Sequence, residues 1–265
     1  MMNLLVTICA RAGSKGVKCK NVREFLGVPI SYYTLAAYKL FCEKHGTEYE
    51  SVSLAINTDS DELCMQAKNA GLPFALIRRK EALAGDIVSK TDVIRDTVKE
   101  MEREYGVKYD IVLDLDITSP LRTAQDINGT ISALRANESA DVAFSLTSAR
   151  RSPYFNMVKL KDDGSYETVV KSDYVTRQQT PTCFDMNASI YAYRNEFITD
   201  ENTKRVFDGK AAGYQMMDTA VLDIDSEEDF DLMEVLARHF YEKCPDYGMV
   251  ERTARFMHTK KEHEV

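Results

Sequence analysis

The first residues whose types and spacing could do chemistry form a basic loop near the start of the chain. Arg11-Ala-Gly-Ser-Lys-Gly16 directly follows the apolar run Leu4–Ala10, and Lys18, Lys20 and Asn21 come after it. Two glycines expose backbone N–H groups beside these cations, which favours the binding of phosphate groups. The alternative is a basic surface turn, although the chain as a whole carries a net charge of -8. Neither G-x-x-x-x-G-K-S/T nor G-x-G-x-x-G occurs, so a P-loop kinase and a dinucleotide dehydrogenase do not fit.

A pair of carboxylates late in the sequence could hold a hard cation. The pattern D-x-D occurs at four places, so the pattern alone identifies no site. Asp223 and Asp225 end a predicted strand, Ala220–Ile224, and residues two apart on a strand face the same side. Such a pair suits Mg²⁺, whereas Asp229 and Asp231 would diverge on the helix that follows. The alternative is two solvated carboxylates at a strand end.

A third polar group, Thr118-Ser-Pro-Leu-Arg122, follows the buried run Ile111–Leu115. At the end of a parallel strand, its hydroxyl groups and its arginine would lie beside the first loop and could meet the same polar ligand. The alternative reading makes Thr118 and Ser119 ordinary turn residues before a helix and leaves Arg122 on the surface.

The elements that must position these residues alternate between strand and helix. Strands are predicted at Leu4–Ala10, Ser51–Ile56, Phe74–Ile77, Ile111–Leu115, Val142–Leu146 and Ala220–Ile224, and helices at Ile30–Glu43, Ser60–Ala70, Lys90–Tyr105, Thr123–Arg135 and Ser226–Lys243. The alternation predicts an α/β fold, a mostly parallel twisted sheet flanked by helices. We expect a single domain over residues 1–250, which includes a β-rich insertion at 150–185. A charged, loosely ordered tail is expected at 251–265.

Composition narrows the class of protein. The 265 residues are 44% hydrophobic and 29% charged, which is typical of a soluble globular chain, and the acidic balance argues against nucleic acid or a membrane as a partner. Without a secretory signal or a membrane-length apolar stretch, a cytoplasmic protein is expected. Six scattered cysteines without a C-x-x-C pair indicate reduced thiols and no zinc site.

Together these motifs resemble the acylneuraminate cytidylyltransferase (CMP-sialic acid synthetase) family, and five of them follow the family's order. The matching segments are ICARAGSKGVKCKN with GVPI at 27–30, LDITSPLR at 115–122, RQQTP at 177–181, NASIY at 187–191 and the Asp223/Asp225 pair. Arg79 and Ser89 flank a segment that is similar to the family's R-P-x-x-L-A-x-D stretch. Lys80 replaces the proline of that stretch, which leaves Arg78 as an alternative to Arg79.

The resemblance implies a magnesium-dependent enzyme with a Rossmann-like nucleotidyltransferase fold. The enzyme would join CMP from CTP to the anomeric hydroxyl of a nonulosonic, sialic-acid-like acid and release pyrophosphate, without a covalent intermediate. The insertion would form a homodimer and reach the partner active site. The residues implied as catalytic are Arg11, Lys15, Asp223 and Asp225, of which the last two would bind Mg²⁺. Nucleotide contacts are implied for Ala10, Ala12, Gly13, Ser14, Gly16, Lys20, Asn21, Arg79 and Ser89. Sugar contacts are implied for Asp116, Thr118, Ser119, Arg122, Arg177, Gln178 and Asn187.

Two departures from the family pattern bear on the sugar. Asp116 stands where the sialic acid enzymes have Gln, and Ala188 stands where they have Gly. A carboxylate only accepts hydrogen bonds, so Asp116 should prefer a substrate that offers donors. This favours a legionaminic-type acid over N-acetylneuraminate. The remaining alternatives are another CTP-dependent sugar-acid nucleotidyltransferase and a non-catalytic nucleotide-binding module.

Overall fold

The structure is a computed structural model that describes residues 1–13, 16–85, 88–219 and 224–259. Its centre is a seven-stranded sheet in the order β11-β7-β10-β6-β1-β4-β5. The strands of the chain are β1 (Asn3–Cys9), β2 (Glu24–Phe25), β3 (Val28–Pro29), β4 (Ser51–Thr58), β5 (Ala75–Arg78), β6 (Ile111–Leu115), β7 (Val142–Ser148), β8 (Val158–Leu160), β9 (Tyr166–Thr168), β10 (Phe184–Arg194) and β11 (Ala211–Gln215).

The sheet is mostly parallel, as the sequence predicts. The central strand β1 pairs in parallel with β4 and β6, and its residues Leu4, Leu5 and Val6 are fully buried because helices cover both faces. Among the seven strands that the structure describes in this sheet, β10 alone runs antiparallel to its neighbours, β6 and β7. The carboxyl ends of β1, β4 and β6 therefore meet at one edge of the sheet.

The helices are α1 (Ser31–His45), α2 (Asp61–Asn69), α3 (Lys90–Tyr105), α4 (Ala124–Ala136), α5 (Asn195–Thr199), α6 (Glu227–Lys243) and α7 (Pro245–Thr259). Four of them begin where the sequence places a capping residue. The hydroxyls of Ser60, Ser89, Thr123 and Ser226 each accept a bond from a backbone N–H of the following helix. In α6, Ser226 and Asp229 form a capping box.

Two apolar cores lie on opposite sides of the sheet. The larger joins β1 to the helices α1, α4, α6 and α7, and the smaller packs Ile94, Val98 and Met101 of α3 against Leu5 and Val112. The first residue of α3, Lys90, lies close to the carboxyl end of the central strand β6.

The end of the chain differs from the expectation of a loose tail from Glu251. Residues 251–259 belong to α7, whose Val250, Ala254 and Met257 are buried against the core. These positions recur every three to four residues, which is the spacing of one helix face, so apolar burial outweighs the charge of the segment. No helix among the described residues has the length and apolar character needed to cross a membrane.

The insertion at 150–185 is less regular than predicted. It contains one hairpin, in which β8 and β9 flank Lys161–Ser165, but each strand has only three residues, and most of the remaining segment is irregular. Two elements beyond it, β10 and β11, were not expected from the sequence pattern. The predicted strand Ala220–Ile224 lies, except for Ile224, outside the described residues, and Ile224 itself is buried outside any strand.

Candidate active site

A cavity of about 410 Å³ opens at the carboxyl-terminal edge of the sheet. The ends of β1 and β6, the first loop, the segment after β5 and the start of α3 contribute to its wall. Among the described residues, four basic and two acidic side chains line it: Arg11, Lys20, Arg79, Lys90, Asp116 and Asp225. In a chain with a net charge of -8, this excess of positive charge marks a site for an anionic ligand.

The first loop is held in place by its own polar residues. The Asn21 side-chain amide donates to the Arg11 carbonyl at 3.0 Å, and the Ala12 N–H donates to Asp59 at 2.6 Å. The Ala10 N–H donates to the Asn57 carbonyl at 3.1 Å. The N–H groups of Ala10 and Ala12, two predicted nucleotide contacts, thus already bind acceptors of the chain.

The arginine of this loop extends along the cavity. Arg11 donates to the Ala84 carbonyl at 3.3 Å and so connects the first loop to the segment after β5. Gly13 has a φ of 75°, in the left-handed region that glycine adopts without strain. The predicted contacts Ser14 and Lys15 lie outside the described residues.

The loop also meets the predicted metal-binding segment. An alanine Cβ at Gly16 would lie 1.9 Å from the Asp225 carbonyl oxygen, so only glycine allows this approach. The Lys20 ammonium lies 3.5 Å from the Asp225 carboxylate, which is 81% exposed at the cavity. Asp223 lies outside the described residues.

The side chains at and around Asp225 have the chemistry that a divalent cation site requires. Asp225 presents a carboxylate, the oxygen ligand that Mg²⁺ prefers, and the lysines and arginines around it would hold the phosphate oxygens that complete such a site. Within the described ranges no group of three or more potential protein ligands occurs.

Of the two alternative arginines at the end of β5, Arg79 lines the cavity. It donates to the Asn57 side-chain oxygen at 2.9 Å and to the Asn57 carbonyl at 3.2 Å. Burial lowers the pKa of Arg79, although it remains a cation at neutral pH. Arg78 instead forms a surface ion pair with Asp61 at 2.8 Å. Ser89 is the N-cap of α3, where its hydroxyl accepts from the Asp92 N–H at 3.2 Å.

A three-membered charge cluster forms the wall next to β6. The Lys90 ammonium lies 2.8 Å from an oxygen of Asp114 and 2.8 Å from an oxygen of Asp116. The other Asp116 oxygen accepts from the Thr118 N–H and hydroxyl, at 2.8 Å and 2.7 Å. Burial would raise the pKa of Asp116, but Lys90 and Thr118 outweigh burial and hold it below its usual range. The Asp116 carboxylate is therefore partly satisfied within the chain, which weakens the argument that it selects a substrate by accepting alone.

Arg122 lies beneath the turn and is only 1% exposed. Its guanidinium donates to the carbonyls of Ser189 at 2.6 Å, Ser119 at 3.0 Å and Asp116, and to the Thr34 hydroxyl at 2.8 Å. Arg122 therefore does not lie on the surface, as the alternative reading expects, and it does not line the cavity in which it was expected to contact a ligand. Its donors fix the turn that carries Asp116 and Thr118.

Asn187 lies behind the same turn, near the start of β10. Its side-chain oxygen accepts from the Ser145 hydroxyl at 2.5 Å and its amide donates to the Met216 sulfur at 3.1 Å. Ala188 follows with a φ of 50°, in the left-handed region, at a shift in the register between β10 and β7. The glycine that the family carries here therefore has a backbone explanation, independent of the sugar.

Arg177 and Gln178 do not reach this cavity within one chain. They line a second cavity of about 440 Å³, together with Arg151 and Ser152. Arg177 donates to the Ala149 carbonyl at 2.8 Å. The two predicted sugar contacts are thus grouped with the insertion and apart from Asp116.

Lys90 and Cys9, which line the first cavity, and Asn57, which holds Arg79 there, were not identified from the sequence. Lys90 resembles an ordinary helix lysine, and Asn57 resembles any residue near the end of a strand. Cys9 lies at the cavity, and burial, together with the Asp114 charge, raises its pKa to about 12. Its thiol therefore stays protonated at neutral pH, which agrees with chemistry that requires no cysteine nucleophile. The placement of Lys90 at a helix start was the one available signal, since cations are disfavoured there.

Comparison with known proteins gives concordant results. The sequence profile described as "Cytidylyltransferase" matches residues 5–250. The chain is 36% identical over 251 residues to Post-translational flagellin modification protein B of Campylobacter coli, covering 93% of this chain and 100% of that protein. It is 35% identical over 239 residues to CMP-N,N'-diacetyllegionaminic acid synthase of Campylobacter jejuni, covering 89% and 95%.

A solved structure has the same fold at low sequence identity. A CMP:2-keto-3-deoxy-manno-octonic acid synthetase in complex with CTP superposes with a TM-score of 0.62 at 17% identity, covering 89% of this chain and 99% of that one. The Rossmann-like α/β fold is thereby confirmed. The profile match extends from β1 through the basic cavity to α7, so that fold, site and sequence agree, and the chain belongs to the cytidylyltransferase family.

Proposed function

We propose that this cytidylyltransferase transfers CMP from CTP to the anomeric hydroxyl of a nonulosonic acid. The hydroxyl oxygen attacks the α-phosphorus, a new P–O bond forms, and the bond to the β-phosphate oxygen breaks. Pyrophosphate leaves with the bonding electron pair, and the hydroxyl proton is released. The observation that carries the proposal is the convergence of Arg11, Lys20 and Arg79 on one cavity beside the Asp225 carboxylate.

In this account the cations of the cavity bind and orient the triphosphate. Arg11, Lys15 and Lys20 hold the phosphates, and Arg79 and Ser89 hold the nucleoside part. Positioned cations stabilise the charge that develops during phosphate transfer, and removal of one such group commonly costs about 10²–10³ in rate. Mg²⁺ on Asp223 and Asp225 would supply further neutralisation of the phosphate charge.

The sugar acid is assigned to the wall formed by β6 and the turn after it. Asp116, Thr118 and Ser119 would contact it, and Asn187 lies at the same edge. We assign Arg122 a positioning role, because its guanidinium bonds to backbone carbonyls beneath the turn. The favoured substrate is a legionaminic-type acid, and the 35% identity to a CMP-N,N'-diacetyllegionaminic acid synthase supports this choice.

A homodimer would bring Arg177 and Gln178 to the sugar in the other copy's active site. The insertion supports this, because it exposes several large apolar side chains. They are Val158, Leu160, Tyr166, Tyr174 and Val175, which are 56%, 64%, 70%, 42% and 79% exposed. Apolar patches of this kind are typical of protein interfaces. Mixing Arg177→Ala chains with Arg11→Ala chains should then restore activity that neither variant has alone.

The proposal is tested by pyrophosphate release from CTP and Mg²⁺ with single sugar acids. N,N'-diacetyllegionaminate, N-acetylneuraminate and a pseudaminate are offered separately, with Arg11→Ala as the inactive control. A higher kcat/KM for the legionaminate supports the assignment. A higher value for another acid would refute the sugar preference alone, and no turnover of any acid by protein that binds CTP would refute the catalytic proposal.

A further inference from the structure

Lys90 occupies a position that the stability of its helix does not explain. It is the first residue of α3, whose N-terminus carries partial positive charge, so a cation there is unfavourable. The neighbouring Ser89 and Asp92 are residues typical of a helix start, the first as N-cap and the second as an acidic residue in the first turn. A lysine between them requires another reason.

The carboxylates around Lys90 compensate for that position. Its ammonium lies 2.8 Å from both Asp114 and Asp116, and Asp114 is fully buried, with its other oxygen accepting from the Thr7 hydroxyl at 2.8 Å. Burial alone would lower the pKa of Lys90, yet the two carboxylates raise it well above its usual range. Lys90 therefore stays charged at neutral pH, and Asp114 anchors it from beneath.

The Lys90 ammonium and the Asp116 carboxylate retain hydrogen-bonding capacity. An ammonium has three donors, and within the described part of the chain that of Lys90 contacts two carboxylates. Asp116 accepts three bonds, one fewer than the roughly four that a carboxylate can accept. Lys90 is 36% exposed and lines the cavity together with Asp116. One donor and one acceptor thus stand side by side on the cavity wall.

We propose that Lys90 binds the sugar acid, forming with Asp116 a donor-acceptor pair for one of its hydroxyl groups. The hydroxyl oxygen accepts from Lys90 while its proton is donated to Asp116. This inference rests on the proposed function, because it takes a sugar acid as the ligand of this wall. The pair also changes what the site is expected to bind. Asp116 alone would only accept hydrogen bonds, but together with the neighbouring ammonium it offers both a donor and an acceptor, as a glutamine amide does.

The test separates this role from simple compensation of a buried charge. Lys90→Met alone would leave Asp114 buried without a cation and could unfold the chain, so the variant is Lys90→Met with Asp114→Asn. The asparagine oxygen can still accept from Thr7. The matched control is Lys80→Met with Asp96→Asn. Lys80 also bridges two carboxylates, Asp96 and Glu100, but it does not line the cavity.

The KM for the sugar acid should rise about 10- to 100-fold in the Lys90 variant, the range expected for losing a bond to a charged group. The KM for CTP should not change, and the control should match the wild type in both constants. Adding Asp116→Gln to the Lys90 variant should recover most of the loss, because the amide again offers both partners. A deoxy analogue lacking the bound hydroxyl should show equal KM values for wild type and variant.

An unchanged sugar KM would overturn the inference and leave Lys90 with a purely structural role, visible only as a shift in Tm. A rise in the CTP KM alone would overturn it as well. Failure of the proposed function is distinguishable, because it would appear as lack of turnover in the wild type. In that case the affinity of wild type and variant for the sugar acid, measured by calorimetry with CTP present, still decides the role of Lys90.

Discussion

The contact between Gly16 and Asp225 gives the sharpest prediction of this structure. A Cβ at position 16 would lie 1.9 Å from the Asp225 carbonyl oxygen, and real Cβ contacts are essentially never below 3.0 Å. In Gly16→Ala, the first loop and the Asp225 segment must therefore separate by about 1 Å, a misplacement that can cost about 10²-fold in rate at a reacting centre. We expect kcat/KM for CTP to fall by about that factor.

The assay is the initial rate of pyrophosphate release as a function of CTP concentration. Gly46→Ala is the matched control, because its Cβ would meet nothing closer than the Cys42 Cβ at 4.0 Å and its φ is -58°. Circular dichroism and Tm establish that both variants are folded. A folded Gly16→Ala enzyme with wild-type kcat/KM would refute the reasoning that this approach aligns the phosphate loop with the carboxylate.

Three further predictions concern the turn and its support. Arg122→Met should lower the free energy of unfolding by about 3–5 kcal/mol in urea titration, because it removes the four buried hydrogen bonds that this cation donates, and a loss below about 1 kcal/mol would contradict this. Ala188→Gly should raise that free energy by about 0.5–1 kcal/mol, since relief of the left-handed strain exceeds the added chain entropy, and a lower Tm would argue against it. The pKa of Asp116 is lowered on folding, so the stability that its carboxylate contributes to the folded state is present above the ordinary pKa of 3.8 and is lost as the pH falls below that value. The Tm of Asp116→Asn should therefore fall less than that of the wild type between about pH 5 and pH 3. Equal slopes of Tm against pH for the two proteins would contradict the lowered pKa of Asp116.

Much of the fold is readable from local sequence. The apolar runs of β1 and β6, the capping serines and the period of α3 each specify their element without help from distant residues. The predicted Lys90–Tyr105 helix and Ile111–Leu115 strand agree with the structure residue for residue. The first loop is likewise identified by composition and by its place after β1, because strand ends of a parallel sheet form the binding edge.

The remaining features depend on contacts between distant segments. Arg122 is predicted as a surface or ligand residue because nothing nearby in sequence shows that Ser189 and Thr34 will surround it. Lys90 becomes part of the site only when β6 places two carboxylates beside it. The helix after Glu251 carries many charges, and its burial depends on α1, against which it packs.

The central claim is tested most directly by following the label of CTP labelled with ³²P at the α-phosphate. The protein is incubated with this CTP, Mg²⁺ and N,N'-diacetyllegionaminate, and the products are separated. The account predicts that the label moves into a CMP-sugar acid and that one pyrophosphate forms for each transfer, with both signals lost in Arg11→Ala. Label that remains in CTP, with every nonulosonic acid offered and in protein that binds CTP, would contradict it.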